Sequence, residues 1–139
     1  MIPPMQFNIW AALVAAVSSF FLGGLWYSKA LFGPAWGRAS GITPEAMHAA
    51  QSHRHPARVF GVSFLFSLVA AVAFAWLLGP GPELGHAVRL GAIVGAAFVA
   101  ACFGINYQFA DRTTALWLID GGYHTVQFIL FGLILGLWH

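Results

Sequence analysis

The sequence has few charged residues and a single cysteine. Charged residues fill only 7% of its 139 positions, against about 25% in a typical soluble domain. Small domains have a high surface-to-volume ratio, so a soluble fold of this length could not hide the apolar surface of a chain that is 60% hydrophobic. Cysteine occurs once, at Cys102, which excludes an intrachain disulfide. The composition therefore predicts a protein whose solvent is lipid.

Several signatures of enzymes and nucleic-acid-binding proteins are also missing. The net charge is only +2 and the basic residues form no stripe with aromatics, so nucleic acid is not an expected partner. There is no Ser-His-Asp nucleophile motif and no phosphate-binding loop. His48, His53 and His55 could offer imidazole ligands, but no cysteine is near them, and surface histidines or contact with anionic lipid is the simpler interpretation. We therefore predict no cofactor and no metal site, and these patterns assign no catalytic residue.

The sequence has instead four long apolar runs. Each suffices for a hydrocarbon core of about 30 Å, which takes about 20 residues. Backbone groups in lipid must be hydrogen-bonded within the segment, so the runs predict helices. We expect an all-α fold in contact with the lipid bilayer. It is a single membrane domain over residues 1–139, a four-helix bundle with spans near residues 7–28, 58–78, 86–108 and 115–138.

The connection over residues 29–57 is long enough to hold structure of its own. Thr43 is a suitable N-cap and Pro44 suits the first helical turn, so we expect a short interfacial or cytoplasmic helix there. The preceding stretch "KALFGPAWGRA" mixes large apolar residues with Lys29 and Arg38. This mixture is typical of a segment at the headgroup level, and an ordinary loop is the alternative.

The basic residues are concentrated at one end of the predicted bundle. That end holds Lys29, Arg38, Arg54, Arg58 and Arg112, whereas the opposite end holds only Arg89. Loops rich in Lys and Arg stay in the cytoplasm. We therefore expect a multi-pass membrane protein with both termini outside.

Small residues recur at four-residue steps in three of the runs. Such rows let helix backbones approach closely in lipid. They serve either packing within the chain or a subunit interface of a homo-oligomer, and the pattern does not distinguish these. The rows are Ala11, Ala15, Ser19 and Gly23, then Gly91 and Gly95, then Gly132 and Gly136.

The fourth run carries polar residues within the stretch "LIDGGYHTVQF". At 100° per residue, Asp120, Tyr123, His124 and Gln127 share one face of a helix. An unpaired acid inside a membrane costs about 2.5–3.5 kcal/mol. Asp120 is therefore expected to pair with His124, one turn away, or to reach Arg112 or Trp117 near the interface.

The other three runs place polar residues at a similar depth. Together they predict a polar pocket in the cytoplasmic half of the bundle, which either binds a proton, ion or small polar ligand or merely fixes helix register. Gly121 and Gly122 serve close packing or a local break in the helix. The candidate pocket residues are Tyr27, Ser28, Ser63, Asn106, Asp120, Tyr123, His124 and Gln127.

Two blocks of the sequence resemble a known family. "LGGLWYSKALFGPAW" and "IDGGYHTVQF" are similar to the signature blocks of a bacterial membrane family catalogued as domain-of-unknown-function family 1761. The likeness covers nearly the whole chain. Family members often have Pro where this chain has Lys29, with Pro34 further on, so the end of the first span is shaped differently. The resemblance implies a setting in the bacterial inner (cytoplasmic) membrane and no particular reaction.

Three functions from different classes are consistent with these features. The first is a small transport or ligand-binding protein that works as a homo-oligomer. The second is a structural or accessory subunit whose polar face docks on a membrane-protein partner. The third is a membrane enzyme that uses Asp120 and His124 as acid and base.

Overall fold

The chain is all-helical in the part that the structure describes. A computed structural model describes residues 6–139. The elements in order are α1 (Ile9–Trp26), α2 (Gly33–Ser40), α3 (Pro44–His53), α4 (Pro56–Leu78), α5 (Leu84–Ile93), a π-helical segment (Val94–Ala100), α6 (Ala101–Phe109) and α7 (Thr114–Leu137). α5, the π-helical segment and α6 form one continuous helix, Leu84–Phe109, which we call the third span.

Four of these helices are long and apolar enough to cross a membrane. They are α1, α4, the third span and α7. Each begins and ends within two residues of its predicted range. Large apolar side chains on their outer faces are left uncovered by the chain; Phe109 is 90% exposed and Phe21 is 77% exposed. The predicted all-α fold with four spans is confirmed.

Side chains cap the helix starts as their residue types predict. Thr43 accepts a hydrogen bond from the Ala46 amide at the start of α3, so the short helix between the first two spans is confirmed. His55 Nδ1 accepts from the Ala57 amide at the start of α4, which gives this loop histidine a capping role. At the other end of α4, Gly79 and Gly81 have φ values of 79° and 57°, a left-handed backbone that glycine adopts at little cost.

The stretch "KALFGPAWGRA" is not an ordinary loop, because α2 begins within it at Gly33. The guanidinium of Arg112 donates to the Ser40 carbonyl at 3.1 Å, and the Thr113 hydroxyl donates to the Ala39 carbonyl at 3.4 Å. The end of α2 is thereby held against the start of α7. We name this end of the molecule, with its Lys and Arg residues, the basic end.

The spans are arranged with α1 and α7 in the middle. α4 packs along α1, the third span packs along α7, and α4 meets α7 only briefly. The core between α1, α4 and α7 combines small and aromatic residues, namely Ala11, Ala15, Ala16, Ala71, Phe74, Ala75, Phe128, Phe131 and Leu135. A consequence of this order is a groove between α4 and the third span, over the face of α7.

Glycines bring the third span and α7 into backbone contact. A Cβ on Gly91 would lie 2.2 Å from the Phe128 carbonyl oxygen, and one on Gly132 would lie 2.3 Å from the Ala87 carbonyl oxygen. A Cβ on Gly95 would lie 2.6 Å from Thr125 Cα. Gly136 likewise faces Leu84 of the same chain. These small-residue rows are therefore used within the chain, and the alternative of a subunit interface does not apply to Gly132 and Gly136.

Gly132→Ala should lower the stability of the helical core, because its methyl group would overlap the Ala87 carbonyl and push the third span off α7. Overpacking of this kind typically costs about 1–3 kcal/mol. Gly61→Ala in α4 is the matched control. No atom lies within 4 Å of its added methyl group, so it should stabilise the helix by roughly 0.5–1 kcal/mol. Unfolding in mixed micelles measures both. Equal effects of the two substitutions would contradict the close approach.

Candidate functional site

Asp120 joins three spans at the basic end of the bundle. Its Oδ1 accepts a hydrogen bond from the Tyr27 hydroxyl at 2.7 Å, and its Oδ2 accepts one from the Tyr107 hydroxyl at 2.5 Å. Tyr27 follows the last residue of α1, and Tyr107 lies near the end of the third span. Both carboxyl oxygens accept, so the arrangement suits a charged carboxylate.

The phenol of Tyr27 is held as a hydrogen-bond donor. Its burial raises its pKa, and the hydrogen bond to Asp120 and the charge of that carboxylate raise it further. Each of these effects disfavours the phenolate. The acidic group and its donors are thus mutually satisfied, and Asp120 is a structural tie between helices.

Indole and glycine contacts support this tie on both sides. The Trp26 indole donates to the Ile119 carbonyl at 2.9 Å, and the Trp117 indole donates to the carbonyl of Ala100, the last residue of the π-helical segment, at 2.7 Å. A Cβ on Gly121 would lie 3.1 Å from Ala100 Cβ, and one on Gly122 would lie 3.0 Å from the Trp26 ring. α7 continues through both glycines. They provide close packing, and the alternative of a helix break does not apply.

A second set of polar groups links α7, α4 and α1 deeper in the bundle. His124 Nδ1 lies 2.7 Å from Gln127 Oε1, and Gln127 Nε2 lies 3.4 Å from Ser67 Oγ. Ser67 Oγ lies 2.9 Å from Ser19 Oγ, which is 2.6 Å from the Ala16 carbonyl oxygen. We call these four side chains the hydrogen-bond chain.

Every link of the hydrogen-bond chain has a defined direction. The Ala16 carbonyl only accepts, so the single hydroxyl proton of Ser19 points to it. Ser67 must then donate to Ser19, and the amide of Gln127 donates to Ser67. The amide oxygen of Gln127 accepts, so Nδ1 of His124 carries a proton. In a neutral imidazole, Nε2 is therefore left with a lone pair.

The second ring nitrogen of His124 has no partner among the described residues, and His124 lines a groove. Among the described residues, every buried side-chain nitrogen or oxygen has a hydrogen-bond partner. Nε2 of His124 has no partner among the same residues. It is therefore not a buried atom. The ring stacks on Phe103, with centroids 5.0 Å apart. Tyr123 is satisfied separately, since its hydroxyl donates to the Ser19 carbonyl at 2.9 Å.

We call the groove between α4 and the third span the polar groove. Its volume is about 450 Å³, and its lining residues are Ser63, Phe66, Ser67, Ala70, Val99, Tyr123, His124, Gln127 and Phe128. A second groove of about 420 Å³ runs between α1 and α4 and shares Ser63, Ser67 and Tyr123 with it. Counted along α7 at 1.5 Å per residue, His124 lies roughly 15 Å from the first residue of the helix. α7 has 24 residues, so this depth is close to the middle of the helix.

The expected pairing of Asp120 with His124 is not formed. The two tyrosines take both oxygens of Asp120, while His124 bonds to Gln127. Asp120 does not reach Arg112 or Trp117 either, because these donate to the carbonyls of Ser40 and Ala100. Spacing along α7 placed Asp120 and His124 on one face but did not show which neighbouring helix would supply a closer partner.

Six of the eight predicted residues take part in the Asp120 hydrogen bonds, in the hydrogen-bond chain or in the lining of the grooves. They are Tyr27, Ser63, Asp120, Tyr123, His124 and Gln127. The other two lie elsewhere. Ser28 follows α1, and its hydroxyl donates to the Leu25 carbonyl in the last turn of that helix. Asn106 is exposed, because it is one residue, or about 100° of helix rotation, away from Tyr107. Ser63 lines both grooves without a hydrogen-bond partner among the described residues.

Sequence reasoning missed Ser19 and Ser67 as members of the hydrogen-bond chain, Phe103 as the ring stacked on His124, and Tyr107 as a donor to Asp120. Ser19 was included only in a row of small residues. The four-residue spacing of Phe103 and Tyr107 is the signal that could have placed both on the face toward α7. The described residues include no group of three or more His, Cys, Asp or Glu side chains arranged to hold a metal ion.

Asp120→Asn and Tyr27→Phe should each destabilise the protein, by about 1.5–3 kcal/mol, the range for hydrogen bonds to charged groups. Both substitutions weaken the same bond, since asparagine carries no charge and offers a single acceptor oxygen to the two tyrosines. The double variant should therefore lose less than the sum. Tyr123→Phe is the matched control, since its hydroxyl bonds to the Ser19 carbonyl and not to Asp120. Its effect should add to that of Asp120→Asn. Additive losses for Tyr27→Phe with Asp120→Asn, measured by unfolding in mixed micelles, would contradict the tie.

Comparison with known proteins gives one match. Residues 10–136 match the family model described as "Protein of unknown function (DUF1761)". No curated protein and no solved structure matches the chain. The family description states no activity. Because the match covers nearly the whole chain, this protein belongs to the DUF1761 family.

Proposed function

We propose that the protein is a small transport or ligand-binding protein and that the polar groove is its site. The observation that carries the proposal is the free Nε2 at the end of the hydrogen-bond chain, on a histidine that lines the groove. A polar atom without a partner in hydrocarbon is costly. A ligand that donates a hydrogen bond to Nε2 removes this cost.

A purely structural role explains the geometry less well. Asp120 with Tyr27 and Tyr107 has the features of a structural tie, since each carboxyl oxygen accepts a hydrogen bond from one tyrosine. The hydrogen-bond chain differs because its last atom is left open, beside the free hydroxyl of Ser63. Ionisable residues within a membrane commonly mark ligand or ion sites. The accessory-subunit alternative requires instead that a partner helix fills the groove.

We also propose a homo-oligomer, because the four spans leave the polar groove open on one side. α4 and the third span have few buried residues, since only 17% of the residues in the most apolar stretch of each are buried. A neighbouring copy against these two helices would close the groove and complete a path across the membrane. The glycine rows of α7 are already occupied within the chain, so they are not part of this interface.

Native mass spectrometry of protein released directly from membranes tests the site. Wild type should carry a small-molecule adduct, and His124→Asn should lose it. The asparagine amide can replace Nδ1 as donor to Gln127, but no atom reaches the position of Nε2, so the fold should be kept. Phe21→Leu, on an exposed face of α1, is the control and should retain the adduct. An adduct unchanged in His124→Asn would refute the site, and a bound membrane protein in its place would favour the accessory role. The same spectra report the number of copies.

For the orientation, we propose that the basic end faces the cytoplasm, because Lys and Arg are concentrated there. In a Cys102→Ala background, a membrane-impermeant maleimide should label Ala46→Cys in α3 only after lysis. His86→Cys, at the opposite end, should be labelled in intact cells. The reverse pattern would show that the basic end faces outward.

A further inference from the structure

We infer that the ligand of the polar groove is an uncharged amphiphile with a hydroxyl head, which enters sideways from the lipid. This inference rests on the proposed function of the groove and names its ligand class. Three features of the groove carry it: its opening, its lack of charge, and the hydrogen-bonding roles of its two free polar groups.

The opening of the groove faces the bilayer and not water. α4 and the third span are each packed on other helices, so nothing in the described chain closes the space between them. Phe66 at its edge is 71% exposed, and Ser63, one turn earlier on α4, is also exposed. The depth of His124 places this opening near the middle of the hydrocarbon core. A ligand dissolved in the membrane reaches the site without crossing protein.

The lining excludes a charged head group. The groove contains no Lys, Arg, Asp or Glu. A charge at this depth would cost several kcal/mol with no counter-ion to offset it. The apolar part of the lining, formed by Phe66, Ala70, Val99 and Phe128, suits an alkyl or isoprenoid chain that continues into the lipid.

The two free polar groups define the head. Nε2 of His124 only accepts while the imidazole is neutral, so the head must donate to it. The hydroxyl of Ser63 has its proton available, so it can donate to an oxygen of the head. A hydroxyl is the smallest group that donates one hydrogen bond and accepts another. Long-chain alcohols, phenols and diacylglycerols share this chemistry.

Photolabelling with a matched pair of probes tests the ligand class. One probe is a long-chain alcohol with a diazirine in its chain, and the other is its methyl ether, which accepts but cannot donate. Both are added to the protein in phosphatidylcholine vesicles, and labelled residues are mapped by mass spectrometry. The alcohol should label Phe66, Val99 and Phe128 about fivefold to tenfold more than the ether, as expected for one additional hydrogen bond.

Two variants separate the two head contacts. His124→Asn should lower alcohol labelling to the level of the ether and leave ether labelling unchanged. Ser63→Ala should lower the labelling by both probes, and its exposed position outside the hydrogen-bond chain makes it tolerable to the fold. Phe21→Leu should change neither. Excess hexadecanol or dioleoylglycerol should compete with the alcohol probe. Stronger competition by hexadecanol indicates a single-chain ligand, and stronger competition by dioleoylglycerol indicates a two-chain lipid.

Equal labelling of the groove by alcohol and ether would overturn the inference, as would alcohol labelling that neither variant lowers or neither competitor reduces. Its failure is distinguishable from failure of the proposed function. If wild type retains a small-molecule adduct that His124→Asn loses, while the two probes label equally, the groove is a site for another ligand class. If no such adduct exists and the probes label equally, both proposals fail.

Discussion

Polar side chains in hydrocarbon must find their partners within the protein, and this constraint organises the bundle. His124, Gln127, Ser67 and Ser19 satisfy it by passing hydrogen bonds in one direction from α7 through α4 to α1. The direction is set at the far end, where a backbone carbonyl can only accept. At the opposite end of the hydrogen-bond chain, this direction determines which ring nitrogen of His124 carries the proton. The atom of these four side chains that has no partner at all among the described residues is Nε2 of His124, and His124 lines the polar groove.

The groove itself follows from where small residues occur. Gly91, Gly95 and Gly132 let the third span lie against the backbone of α7. Ala11 and Ala15 let α1 lie close to α4 and α7. The two close seams hold α4 on α1 and the third span on α7, so these outer helices are kept apart. The tie from Asp120 to Tyr27 and Tyr107 then fixes the ends of α1 and the third span.

Much of this fold could be predicted from the sequence, because hydrophobic length and composition are properties of single segments. The four spans, the Thr43 cap and the polar face of α7 are of this kind. The partners of Asp120 could not be predicted in the same way. Helical spacing gives the face on which a residue lies, but not the rotation of the helix packed against it. For the same reason Asn106 was assigned to the pocket although its neighbour Tyr107 points inward.

Two further features depend on packing between helices that the sequence pattern does not reveal. The π-helical segment Val94–Ala100 has no Pro or Gly pair that would predict it, and its last carbonyl accepts the Trp117 indole. Ser19 is indistinguishable from a packing residue until Ser67 of α4 is placed beside it. The site is therefore assembled from residues that look ordinary in sequence and acquire their role from neighbours.

The most direct test is the tautomer of His124 in a bilayer. Solid-state NMR of protein labelled with ¹⁵N-histidine, compared with the His124→Asn variant, isolates the two ring nitrogens of this residue. The hydrogen-bond chain predicts a proton on Nδ1 and a bare Nε2 that accepts. A neutral ring protonated on Nε2, with Nδ1 as the acceptor, would reverse the direction of the chain and contradict the account.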